Sequence, residues 1–144
     1  MKRLCIASIS LAIFAANAAP MPTPDPAAVV AGQAQYARAQ LQALAAIMGS
    51  LPPATAKQAI LEGNRTIDWT RMSPAQGHVL AGPNIAESLP SLLALSKAQS
   101  MGCSAPEGPC ADKAWAWGLA RAKKAVESKN PGAELGLAAE EAAR

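Results

Sequence analysis

The chain has little of what most cores are built from. Its 144 residues include one Phe, one Tyr and three Trp, and beyond residue 18 the aromatics are Tyr36, Trp69, Trp115 and Trp117. Runs of Val, Ile, Thr and aromatics are nearly missing, the nearest being Thr66 to Thr70 around Trp69, which excludes a sheet as the organising layer. After Ala16 no stretch approaches the roughly twenty apolar residues of a membrane-spanning helix. Catalytic signatures are scarce too. There is no Gly-x-Ser-x-Gly elbow and no phosphate-cradling glycine loop. Two thiols, Cys103 and Cys110, and one distant histidine, His78, do not make a tetrahedral metal site. His78 with Glu87 or Asp68 is the one acid-base pair on offer, and a lone histidine in a polar loop reads first as exposed or structural. The expectation is a protein that is not an enzyme and needs no cofactor or metal, with a small enzyme using His78 as the remote alternative.

What is present begins at the N-terminus. Lys2 and Arg3 precede an apolar run from Leu4 to Ala16, and Ala16-Asn17-Ala18 places small residues where a signal peptidase reads. Residues 1–18 therefore read as a signal peptide cleaved after Ala18. Thirteen apolar residues make about 20 Å of helix against a hydrocarbon core of about 30 Å. The run is too short for stable membrane insertion, and Cys5 within it lacks the flanks of a lipid-modified cysteine. The destination is the periplasm or the exterior. The short leader and alanine-rich composition look bacterial, so the sequon Asn64-Arg65-Thr66 reads as coincidence. Loss of Lys2 and Arg3 leaves eleven basic against ten acidic side chains. A net charge near +1 gives no electrostatic argument for nucleic acid.

About a quarter of the chain is alanine, the best helix former and a poor source of buried area. The fold expected is all-α: a small bundle of four or five thin helices in one domain over residues 27–144, after a proline-rich lead-in at 19–26. Val30, Ala34, Ala37, Leu41, Leu44 and Met48 step by three and four along one helix, with Gly49 suited to a left-handed cap. That seam is nearly heptad and its alanines admit a close neighbour. Core packing is its first use, and self-association through the helix of residues 27–48 its second. A short helix over 54–62 follows, then the least regular stretch, which holds Trp69, Ser73-Pro74 and His78. Ile85, Leu89, Leu92 and Leu93 begin the next apolar face, Pro90 fits only a first turn, and Ser88 is the candidate cap. A further helix runs over 111–129 with Trp115, Leu119, Ala122 and Val126 as its stripe. Over 133–144 two readings stand, a last short helix with Leu135, Leu137 and Ala138 as its apolar side or a frayed terminus.

Two features carry chemistry. Cys103 and Cys110 stand in an oxidising compartment across Ser-Ala-Pro-Glu-Gly-Pro, whose Pro106, Gly108 and Pro109 turn the chain, so a disulfide should clip two helices into a hairpin. Trp115 and Trp117 are two apart on one helix, about 200° around it, and cannot share one core stripe. Trp115 is the core residue. Trp117 either covers a neighbouring element or stands exposed as an anchor for a partner, with Arg121 and Lys124 beside it.

The stretch Pro24-Asp25-Pro26-Ala27, followed by a helix containing Gln and Leu, is loosely similar to the N-terminal region of minor-pilus subunits of type IV secretion systems, over under a fifth of the chain. That resemblance implies an accessory part of an envelope secretion or pilus apparatus, and no residue role is carried over from it. The principal expectation is an exported helical protein that binds another macromolecule, an envelope or extracellular protein.

Overall fold

The structure, a computed structural model, describes residues 22–63 and 89–144. Five α-helices and no strand are found among them: α1 (Pro26–Gly49), α2 (Pro53–Gly63), α3 (Leu89–Ser100), α4 (Pro109–Glu127) and α5 (Pro131–Ala142). The all-α expectation holds, and Cys103 and Cys110 form the disulfide between α3 and α4. The signal peptide with Ala18, the sequon, Asp68, Trp69, Ser73, Pro74, His78, Ile85, Glu87 and Ser88 lie outside the described residues.

α1 starts where the local chemistry tells it to. Pro26 occupies the first turn, and Asp25 Oδ1 accepts a hydrogen bond from the Ala27 N–H at 3.2 Å. Val30, Ala34, Ala37, Leu41 and Met48 are buried and Leu44 is partly buried, so the seam is consumed inside the chain. Gly49 does not take the left-handed cap. It stays helical, and Ser50 ends the helix in an ordinary right-handed conformation with its Oγ donating to Ile47 O at 2.7 Å. A serine hydroxyl satisfies the exposed carbonyl, so no positive φ is needed there.

The left-handed end comes at α3. Gly102 at the end of α3 has φ +74°, its N–H donates to Gln99 O at 2.9 Å, and the Cys103 N–H donates to Ala98 O at 3.0 Å. This paired pattern is the Schellman motif that glycine permits. Gly108 then adopts φ +104° ahead of Pro109, the first residue of α4. α3 and α4 thus return on each other as the clipped hairpin. A Cβ on Gly118 would stand 2.7 Å from Pro90 O and 2.8 Å from Ala94 N, so the two backbones cross in contact. Gly132 does the same for α5 against α1, a Cβ there falling 2.8 Å from Met48 C and O.

α5 does not fray. Asn130 Oδ1 accepts from the Ala133 N–H at 3.3 Å, Pro131 sits in the first turn, and Leu135, Ala138 and Ala142 are buried. Leu137 is not on that apolar side, being 52% exposed. Its neighbour two positions back defines the core line, and a two-residue step turns the side chain outward. In the assembled bundle α3 and α5 each pack on both α1 and α4, while α1 and α4 share little contact and stand diagonally across the core. α2 closes one end through Ala56 and Ile60. Among the described residues no helix is long and apolar enough to cross a membrane.

Candidate functional site

Trp117, Arg121 and Lys124 recur at intervals of four and three, which puts them on one face of α4. Trp115 is turned the other way and is 3% exposed, in the core as expected. Trp117 is partly buried and packs against the edge of the main core cluster. Lys97 of α3 places its Nζ 5.0 Å from the centre of the Trp117 ring. The same ammonium donates to Glu141 O at 3.0 Å, near the end of α5. Ser100 Oγ donates to Ala142 O at 2.9 Å. Two side chains of α3 thereby satisfy the open carbonyls at the C-terminus of α5, where positive charge also suits the helix dipole.

Arg121 and Lys124 differ in role. The Arg121 side chain is 12% exposed, and its Nε lies 2.8 Å from Glu141 Oε2, an ion pair whose angle falls outside a good hydrogen bond. Lys124 is 64% exposed, with Nζ 3.9 Å from Glu134 Oε2. Arg121 therefore belongs to the joint between α4 and α5, and Lys124 carries a solvated charge. The Trp117 ring thus lies partly exposed at the edge of the core, with a cation over it that α5 also binds and a second cation two turns along α4.

No family model, curated protein or solved structure matches this chain. The site is therefore read from its own chemistry. A partly exposed indole seated between helices, with an ammonium over it and the exposed, ion-paired Lys124 near it, can bury apolar surface and accept an acidic group. It has no nucleophile with a base, and among the described residues no three His, Cys, Asp or Glu side chains gather to hold a metal ion.

A second feature lies on the other side of Trp115. A cavity of about 40 Å³ is bounded by Val30 of α1, Ser91 and Ala94 of α3, Pro106 and Trp115, and Trp115 Nε1 is buried without a hydrogen-bond partner. An unpaired buried N–H costs about 1–3 kcal/mol. The cavity's volume is on the scale of a water or two.

Sequence reasoning singled out Trp117, Arg121 and Lys124 but missed Lys97 and Glu141, which position them. A signal for Lys97 was there. In an antiparallel hairpin closed by Cys103–Cys110, residues at equal distances from the clip come side by side, and Lys97 and Trp117 stand six and seven residues from it.

Proposed function

We propose that this chain is an exported helical protein, periplasmic or secreted, that acts by binding another macromolecule and carries out no chemistry of its own. The observation that carries the reading is Trp117. The indole is kept partly exposed beneath Lys97, on a face that Lys124 extends, and indoles so placed are over-represented among the anchors of protein interfaces. The disulfide supports the compartment, since such bonds persist where thiols are not kept reduced. The chemistry of the face suits a protein partner that offers an apolar cleft rimmed by carboxylates.

The test is reciprocal binding. Tagged protein is crosslinked mildly in the envelope and culture fluid of its host, captured, and compared with Trp117→Ala. The proposal expects a discrete partner that is absent from the variant and that rebinds the purified protein but not the purified variant. Equal recovery with Trp117→Ala would remove the face from the account, and hydrolytic or redox turnover by the purified protein would remove the reading itself.

A further inference from the structure

α1 presents a long surface that the other described helices leave open. Thirteen of its 24 residues are exposed, and none of the thirteen is charged. The one charged residue of the helix, Arg38, is turned onto α3, where its Nε donates to Ser96 Oγ at 3.2 Å and its guanidinium reaches Ser96 O at 3.5 Å. Surface helices ordinarily keep charged residues on the face away from the core. α2, α4 and α5 follow that rule, with Lys57 and Glu62 on α2, Asp112, Lys113 and Lys124 on α4, and Glu140 and Glu141 on α5 all exposed, while α3 has no exposed residue. On α1 the open face instead shows Tyr36 at 47% and Ile47 at 56% exposure.

The pattern on that face is regular. Val29, Gly32, Tyr36, Ala39, Ala43 and Ala46 alternate three and four apart, which is a heptad seam. It is separate from the buried seam on the core side. We infer that α1 pairs with α1 of a second copy of this chain, antiparallel, through this line. The occupant follows from charge and shape. A surface without charge needs an uncharged surface opposite it, and among the described helices only the same face of another copy supplies one. In an antiparallel pair whose two-fold axis crosses α1 at its midpoint, between Ala37 and Arg38, Tyr36 meets the second copy's Ala39 and Val29 meets its Ala46. Ala43 then meets the second copy's Gly32, and the small residues let the helices approach closely. On the flank Gln35 comes beside Gln42, each amide able to donate and accept. Arg38, held on α3, stays out of the contact and does not face its own copy.

The contact is modest. A standard interface uses about 20–30 residues a side, and one helix face offers roughly half of that, so the dimer should dissociate in roughly the micromolar range. It uses the corner of the bundle diagonal to α4, and it stands or falls independently of the Trp117 reading.

Sedimentation equilibrium of the purified protein from low micromolar to several hundred micromolar tests it. The expected result is a monomer–dimer equilibrium that Ala39→Glu weakens about tenfold or more, since it sets like charges close across the axis, while Leu137→Glu on α5 leaves it unchanged. Ala39 is exposed, so circular dichroism of the variant should match the parent. A spin label at Ser50→Cys should report about 38 Å between copies for the antiparallel register. A monomer at the highest concentration, a dimer indifferent to Ala39→Glu, or labels within about 20 Å of each other, the parallel arrangement, would overturn the inference.

Discussion

Gly118→Ala should loosen the whole hairpin, although it adds a single methyl group to a helix. A Cβ at this position falls 2.7 Å from Pro90 O, 2.8 Å from Ala94 N and 3.2 Å from Ala94 Cα. All three obstacles are backbone, so no side chain can swing aside. Restoring ordinary contact at 3.4 Å requires α3 and α4 to part by about 0.7 Å at their crossing, and a gap of that size forfeits a quarter to a half of each neighbouring dispersion contact. Overpacking costs about 1–3 kcal/mol, and a rigid obstacle belongs at the upper end. Against this, Ala is favoured over Gly inside a helix by about 1 kcal/mol. The net expectation is a loss of about 2 kcal/mol, or roughly 10 °C in Tm for a domain of about 100 residues. Gly136→Ala supplies the control, because nothing lies within 4 Å of its Cβ position. It should gain about 0.5–1 kcal/mol from the same helix preference. Urea and thermal unfolding followed at 222 nm read both variants. Gly118→Ala as stable as its parent would mean that the two backbones do not cross there, and the packing described for α3 and α4 would be wrong.

Other outcomes follow from the same structure. Replacing both cysteines, Cys103→Ser with Cys110→Ser, should lower stability by about 2.5 kcal/mol in urea unfolding, from the chain entropy of an eight-residue loop; free thiols in the oxidised protein would contradict the clip. Leu135→Ala should cost about 3 kcal/mol in the same assay, within the range for a fully buried leucine, whereas a negligible loss would mean that α5 frays. A double-mutant cycle of Lys97→Met with Trp117→Phe should return a coupling of about 0.5–1 kcal/mol, and zero coupling would separate the ammonium from the ring.

The helices were legible because their signals are local. Asp25-Pro26 marks the start of α1, the three-and-four spacing from Val30 to Met48 marks its core side, and the two-residue step from Trp115 to Trp117 already says that one ring faces elsewhere. The misreadings came from competing local solutions. Ser50 could close α1 as well as Gly49 could, and the hydroxyl did so. Leu137 looked apolar enough for the core, but Leu135 held the line through Pro131, Ala138 and Ala142. What the sequence concealed is close approach between helices. Gly118 reads as an ordinary interruption in an alanine-rich stretch and Gly132 as part of a breaker, yet both are glycine because another backbone occupies the space of a side chain. The site was half visible for a similar reason. Trp117, Arg121 and Lys124 lie on one helix, whereas Lys97 and Glu141 come from two others, and Glu141 joins them only once α5 has docked.

The central claim is that the Trp117 face contacts a partner, and placing a photo-reactive side chain there tests it most directly. Trp117→benzoylphenylalanine in the exporting host, with Leu137→benzoylphenylalanine as the comparison, should yield on irradiation one discrete adduct specific to position 117, containing a second protein. Adducts identical at the two positions, or none at 117, would contradict the claim.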